Sequence, residues 1–104
     1  MLQKRAAAIH DISCFGKCSL TVALPIISAM GIETAVIPTA VLSTHTGEGF
    51  TDYTFRDLTS DIPAIAAHWK SMELRFDALY TGYLGSPEQV DIISDFFDSF
   101  GFKA

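Results

Sequence analysis

The sequence predicts an α/β domain with a parallel β-sheet at its core. Three short apolar runs, at residues 6–12, 33–37 and 76–81, have the composition of buried strands, and stretches with helical spacing of apolar residues separate and follow them. This alternation is typical of parallel sheets, because right-handed crossovers lay the helices against the sheet. With 104 residues, 49% of them hydrophobic and 18% charged, the chain has the size of one globular domain.

A helix over residues 19–30 is predicted after the first strand and a loop at residues 13–18. Gly31 marks its end, because glycine readily adopts the left-handed conformation that follows many helices. Pro25 lies inside the helix and removes one backbone hydrogen bond. We therefore expect a kink or an early break at Pro25.

The second strand is predicted to begin at Glu33 and to stop at Pro38, since proline interrupts the hydrogen bonding of a sheet. Residues 39–54 hold many side-chain hydroxyls and two glycines. This composition predicts a long loop, and loops longer than a connection requires are often functional.

Capping signals predict two helices in the second half of the chain. Ser60 or Asp61 is the expected cap of the first, with Pro63 in its opening turn. An S-x-x-Q capping box at Ser86, followed by Pro87, opens the second. Apolar and acidic residues of that last helix are predicted to lie on opposite faces: Val90, Ile93, Phe96, Phe97 and Phe100 against Asp91, Asp95 and Asp98.

The charge of the chain excludes several classes of function. Seven Lys and Arg residues against twelve Asp and Glu residues give a net charge of −5, and no basic cluster is present. Nucleic acids and anionic membranes are therefore not expected as partners. No run reaches the roughly 20 apolar residues of a membrane span, and the first apolar run ends at Asp11, which argues against a secretory signal. We expect a cytoplasmic protein.

The cysteines and histidines do not form a recognisable metal motif. Cys14 and Cys18 are spaced so that a disulfide is geometrically possible, and the three histidines lack paired ligand spacing. We predict reduced thiols packed in or near the core and no metal site.

Polar or aromatic residues mark the predicted carboxyl ends of all three strands. Asp11 precedes the Phe15–Gly16 loop, residues 43–47 follow the second strand, and residues 82–85 follow the third. Because the carboxyl ends of parallel strands meet at one edge of a sheet, ligands of such folds bind there. The sequence therefore predicts a small-molecule pocket at this edge.

These motifs have the order and spacing of the pyridoxal kinase family. They are I-H-D followed by F-G at residues 9–16, S-T-H-T-G at 43–47 and T-G-Y-L-G-S at 81–86. The chain resembles, over essentially its whole length, the bacterial pyridoxamine kinase branch of the ribokinase-like superfamily. The resemblance implies a three-layer ribokinase-like fold and transfer of the ATP γ-phosphate, with Mg²⁺, to the 5′-hydroxymethyl group of pyridoxal, pyridoxamine or pyridoxine. It also implies a homodimer.

The resemblance implies six substrate-binding residues. By position, Asp11 would lie beside the pyridine ring, the hydroxyl of Thr46 would meet a polar atom of the ring, and Tyr83 would form an aromatic wall. Cys18 and Leu42 would make apolar contacts with the ring, and His45 would flank Thr46 in a loop that covers the substrate.

Two departures from the family pattern qualify these expectations. Many family members have Ser where this chain has Asp11, and an acceptor-only carboxylate prefers a ring donor or a protonated amine, so a hydroxymethylpyrimidine kinase is an alternative. Family members are also much longer, and their ATP site and catalytic Asp, in a G-x-G-D loop, have no counterpart in this sequence. Residues 1–104 are therefore expected to be the N-terminal, substrate-binding part of a kinase, inactive alone and without a catalytic residue. A short ring-binding or interaction module is the other alternative.

Overall fold

The structure is a computed structural model that describes residues 3–16, 18–46, 49, 51–82 and 84–102. Its strands are β1 (Arg5–Phe15), β2 (Glu33–Thr44), β3 (Phe55–Asp57) and β4 (Ala78–Thr81). Its helices are α1 (Leu20–Ala29), α2 (Ile62–Ser71) and α3 (Pro87–Ser99), and a 3₁₀ turn at Thr59–Asp61 leads into α2. None of the helices within these ranges is long and apolar enough to cross a membrane.

The strands form one sheet in the order β3–β2–β1–β4. β1 pairs in parallel with β2 and with β4, while β3 pairs antiparallel with β2. The chain moves from β1 to β2 in one direction across the sheet and from β2 back to β4 in the other. Crossovers between parallel strands are right-handed in nearly all proteins, and with this strand order that rule lays α1 and α2 on opposite faces of the sheet. The predicted α/β fold with a parallel core is confirmed.

Both long strands extend beyond their predicted ends. β1 continues to Phe15 through residues predicted as a loop, and β2 continues through Pro38 to Thr44. The prediction that the strand stops at Pro38 is therefore wrong. The antiparallel partner β3 pairs only with residues 40–42 of β2. Pro38 therefore lies where β3 does not pair with β2, and a proline, which has no N–H to donate, is tolerated at such an edge.

The register between β1 and β2 shifts by one residue, between the pairs His10–Pro38 and Ile12–Val41. As a result two residues of β2, Thr39 and Ala40, lie opposite the single residue Asp11. This is the geometry of a β-bulge, which bends a strand and redirects its side chains.

The hydrophobic core lies on the face covered by α2 and α3. It joins buried side chains of the two central strands to buried side chains of the helices and the segment before β4: Ala7, Ile9, Ile37, Ile62, Phe76, Ile93 and Phe96. Trp69 packs against this cluster, with its ring centroid 5.5 Å from that of Phe76. The predicted apolar face of α3 is therefore right for Ile93 and Phe96 but wrong for Val90, which is 50% exposed.

The helix ends follow local sequence signals with two exceptions. α1 continues through Pro25, so the helix does not break there, and the alternative of a kink stays a prediction. Thr21, whose carbonyl loses its helical donor, is exposed, so water can satisfy that carbonyl. Asp61 occupies the N-cap position of α2, but its side chain makes no capping hydrogen bond. Ser86 caps α3 as predicted, because its Oγ accepts the backbone N–H of Gln89 at 3.2 Å.

Truncating one buried and one exposed residue of α3 tests this packing. Ile93 is 3% exposed and Val90 is 50% exposed. We expect Ile93→Ala to lower the free energy of unfolding by about 2–5 kcal/mol, through lost burial and the cavity left behind. Val90→Ala should change it by less than about 0.5 kcal/mol. Urea unfolding followed by circular dichroism measures both changes, and equal losses would contradict the assigned core face. If Ile93→Ala does not fold, Ile93→Val replaces it, with an expected loss of about 1 kcal/mol.

Candidate functional site

A cavity of about 620 Å³ opens at the bulge between β1 and β2. Its walls come from β1, the second half of β2, β3, the 3₁₀ turn and the residues that lead into α3. The cavity therefore lies at the carboxyl ends of the parallel strands, the edge at which ligands of parallel sheets bind.

Three of the six substrate-binding residues expected from the sequence line this cavity. They are Asp11 on β1, Leu42 on β2 and Thr46 in the segment that follows β2. Leu42 is 3% exposed, Asp11 is half-buried and Thr46 is exposed. Asp11 reaches the cavity at the bulge, where its backbone lies opposite Thr39 and Ala40, which also line the cavity.

The other three expected residues do not belong to the described lining. Cys18 is half-buried, with its Sγ 3.3 Å from the Oγ of Ser13. His45 donates its backbone N–H to the carbonyl of Phe15 at 2.9 Å, and its ring lies against Gly16. Tyr83 lies outside the described residues.

The two cysteines are both free thiols. Cys18 is half-buried, as expected of a thiol near the core, but Cys14 is exposed. The expectation that both thiols are packed is therefore wrong for Cys14, because β1 extends past the buried part of the sheet and its last two residues are exposed.

Sequence reasoning missed the buried polar side of the cavity. Gln89, 5% exposed, lines it from the first turn of α3. Its Oε1 accepts the backbone N–H of Gly85 at 2.9 Å, and its Nε2 donates to the carbonyl of Thr39 at 3.2 Å and to Oγ1 of Thr59 at 3.0 Å. The capping box singles out Gln89, but it predicts a bond back to the N–H of Ser86, and the two contacts with distant segments have no signal in the sequence.

Asp57 adds a second carboxylate to the cavity wall. Its Oδ1 accepts the hydroxyl of Thr59 at 2.5 Å and the backbone N–H of Thr59 at 2.9 Å. These two hydrogen bonds stabilise the charged form and lower the pKa of Asp57. With Asp11 and Asp57 in the described lining and no Lys or Arg beside them, the cavity favours ligands that donate hydrogen bonds or carry positive charge.

The same donor set does not suit a triphosphate with its metal ion. The lining within the described ranges offers carboxylates rather than cations, and phosphate groups are bound by Lys, Arg and backbone N–H groups. Among the described residues no group of three or more His, Cys, Asp or Glu side chains could hold a metal ion. The described lining therefore does not fit MgATP.

His10 lies beside the cavity residue Asp11 but is enclosed by β4. It is 4% exposed, its ring centroid is 4.9 Å from that of Tyr80, and neither ring nitrogen has a hydrogen-bond partner in the described structure. A Cβ at Gly82 would lie 2.4 Å from Nδ1 of His10, so only glycine fits there. Burial lowers the pKa of His10, and the charge of Asp11 opposes this shift.

Solved structures match nearly all of this chain. A protein from Bacteroides thetaiotaomicron, provisionally described as a phosphomethylpyrimidine kinase, is 51% identical over 96% of the chain, with a TM-score of 0.91. A crystal form of that protein with pyridoxal is 52% identical over 95% of the chain, with a TM-score of 0.89. A pyridoxal kinase from Lactobacillus plantarum is 36% identical over 94% of the chain, with a TM-score of 0.84.

The chain spans 34% of the length of each of these three structures and matches the N-terminal part of the pyridoxal kinase fold. A pyridoxal kinase from Leishmania donovani, in complex with ADP and pyridoxamine, covers 93% of the chain at 16% identity, with a TM-score of 0.79, and its likeness concerns the fold alone. The chain covers 36% of that protein. No model of a known protein family matches the sequence, and no curated protein does.

The stability of the chain should depend on pH through His10. Its pKa is held below the ordinary value of 6.5, so below that pH the unfolded chain binds more protons at this position than the folded chain does. The free energy of unfolding therefore falls as the pH is lowered through this range. We expect urea unfolding at about pH 7.5 and about pH 5.5 to show this loss, and His10→Phe to reduce it. His68→Phe, on the exposed side of α2, is the control, and an undiminished loss in His10→Phe would contradict the assignment.

Proposed function

We propose that the chain is the substrate-binding part of a ribokinase-like kinase for a vitamin B6 ring, which its likeness to solved structures at 36% to 52% identity over nearly all of its length supports. The reaction is transfer of the ATP γ-phosphate to the 5′-hydroxymethyl group of pyridoxal, pyridoxamine or pyridoxine. The observation that carries the proposal is the cavity at the bulge, which unites Asp11, Leu42 and Thr46. The crystal form with pyridoxal, of a protein 52% identical to this chain, supports it.

The chemistry of the cavity suits a flat, substituted heteroaromatic ring. Leu42, Tyr53 and Phe55 supply apolar and aromatic surface for its faces. The hydroxyl of Thr46 can donate to or accept from a polar atom at the ring edge, whereas the carboxylate of Asp11 can only accept. On this proposal Asp11 binds a protonated ring nitrogen or the ammonium group of pyridoxamine.

The remaining expected contacts belong to the same proposal. Tyr83 would form an aromatic wall, His45 would cover the ring together with Thr46, and Cys18 would contact its apolar edge. Neither His45 nor Cys18 belongs to the described lining, and their contacts with the ring are part of the proposal.

A hydroxymethylpyrimidine is the second candidate substrate. The provisional description of the Bacteroides protein, 51% identical to this chain, favours it. The carboxylate of Asp11 favours it as well, because the amino group of an aminopyrimidine is a hydrogen-bond donor. Both candidate rings carry a hydroxymethyl group that accepts the phosphate.

Phosphoryl transfer itself is proposed to use groups outside residues 1–104. Its catalysis depends on positioned cations and donors around the transferred group, and the chain spans only 34% of its relatives' length. ATP, Mg²⁺ and the catalytic base therefore belong to the complete enzyme in this proposal. A cytoplasmic location and a homodimeric assembly are further parts of it, and light scattering on the purified protein tests the second.

A competition assay tests the choice of substrate. The full polypeptide that carries these residues is given MgATP with pyridoxal, pyridoxamine and 4-amino-5-hydroxymethyl-2-methylpyrimidine together at equal concentrations, and the phosphorylated products are quantified by mass spectrometry. We expect a higher kcat/KM for pyridoxal or pyridoxamine than for the pyrimidine, by at least about tenfold, the effect of about 1.4 kcal/mol. A preference for the pyrimidine would replace the first candidate by the second, and no phosphorylation of any ring would contradict both.

Two substitutions test the proposed contacts at the ring edge. Asp11→Asn removes the charge and should raise the KM for pyridoxamine about tenfold or more, and raise it less for pyridoxal, because a bond to a charged group contributes about 1.5–3 kcal/mol. Thr46→Ala should raise the KM for both by about fivefold, the effect of about 1 kcal/mol. Asp91→Asn, on the exposed face of α3, is the charge-matched control. Unchanged KM and kcat values would remove the substituted residue from the site.

A further inference from the structure

The side-chain amide of Gln89 joins three separate segments of the cavity wall. Its oxygen accepts the backbone N–H of Gly85, the residue before the cap of α3. Its nitrogen donates to the carbonyl of Thr39 in β2, 50 residues away in sequence, and to the hydroxyl of Thr59 in the 3₁₀ turn, 30 residues away. All partners of this amide, Gly85, Thr39 and Thr59, line the cavity themselves. With one acceptor bond and two donor bonds, neither N–H of the amide is left unsatisfied.

The bond to β2 falls on the bulge. The carbonyl of Thr39 accepts the backbone N–H of Leu58 at 3.0 Å as well as Nε2 of Gln89 at 3.2 Å. A bulge disrupts the ladder of a sheet locally, and here the carbonyl of Thr39, a residue of the bulge, is bonded on its other side by the segment that follows β3 and by α3. Gln89 therefore helps to fix the strand position opposite Asp11.

The hydrogen bonds around Gln89 share one direction. The N–H of Gly85 donates to Gln89, Gln89 donates to Thr59, and the hydroxyl of Thr59 donates to the carboxylate of Asp57. Aligned hydrogen bonds polarise and strengthen one another. Turning the amide over would set its nitrogen against the N–H of Gly85 and its oxygen against the carbonyl of Thr39, so only one orientation is compatible with this site.

We propose that Gln89 is a positioning residue of the cavity, which holds the bulge of β2, the 3₁₀ turn and the Gly85–Ser86 backbone in one fixed arrangement around the ligand. The kinetic part of this inference rests on the proposed function. Gln89 acts through the backbone of Thr39 and Gly85, and both of these residues face the ligand space. Its loss should therefore weaken binding of the ring even where the fold is retained.

Two substitutions of similar size separate positioning from packing. Gln89→Glu retains an acceptor for the N–H of Gly85 but loses both donors, whereas Gln89→Met fills the same space without polar atoms. Both are measured in the full polypeptide, with Glu88→Gln, an exposed neighbour on the same helix, as the control. We expect the KM for pyridoxal to rise about tenfold or more in both variants, with a smaller change in kcat, and to stay unchanged in the control.

The Gln89→Glu variant should also acquire a new pH dependence. Burial, the carbonyl of Thr39 and the charge of Asp57 raise the pKa of a carboxyl placed there. Asp57, which reaches it through Thr59, Asp11 and Tyr53 are the ionisable groups in the described lining of the same space. Protonation of the introduced carboxyl restores one hydrogen-bond donor. The KM of this variant should therefore fall back towards that of the unchanged protein as the pH is lowered. A residue that only fills space gives no such recovery.

Amide hydrogen exchange makes the test independent of the ligand. We expect the N–H of Gly85 to exchange at least about tenfold faster in Gln89→Met, as the loss of its hydrogen bond to the side chain of residue 89 implies, and to remain slow in Gln89→Glu. Unchanged exchange in Gln89→Met, or a KM that stays the same in both variants while the unchanged protein is active, would overturn the positioning role. If the unchanged protein phosphorylates no ring, the proposed function fails while the exchange result still decides the role of Gln89.

Discussion

The one-residue shift in register between β1 and β2 is the constraint on which the cavity depends. Without it, each residue of β2 after Pro38 would pair one position further along β1, Val41 with Ser13 instead of Ile12, and the side chains of β2 would exchange faces. With it, Thr39 and Ala40 both lie opposite Asp11, and all three line the cavity. On its other edge β2 pairs with β3, and Asp57 at the end of β3 also lines the cavity.

Buried polar groups of the cavity satisfy one another before any ligand arrives. Gln89 and the carbonyl of Thr39 lie out of solvent, where an unpaired polar group costs about 1–3 kcal/mol, and each is bonded to groups from other segments. This arrangement reduces the rearrangement needed on binding, because the walls are held in place by bonds that do not involve the ligand. Asp57 completes the network at the solvent side, where it is exposed.

Local sequence signals correctly predicted the end of α1 and the start of α3, because interactions between residues close in sequence determine both. Gly31, with its positive φ of 80°, follows α1 as expected, and Ser86 caps α3 through a contact three residues away. The continuation of β2 through Pro38 could not be predicted, because it depends on where β3 pairs. The partners of Gln89 are 50 and 30 residues away, and no spacing within one segment encodes such contacts.

The candidate site shows the same division between local and distant determinants. The resemblance to pyridoxal kinases implied Asp11, Leu42 and Thr46 as site residues, and the sheet brings them to one cavity because β1 and β2 are parallel neighbours. A pyridine ring and a pyrimidine ring have nearly the same flat shape, so apolar walls such as Leu42 cannot separate them strongly. On the proposed function, the choice between the two rings therefore depends on the hydrogen-bonding groups at the ring edge, where the carboxylate of Asp11 accepts and the hydroxyl of Thr46 can do either.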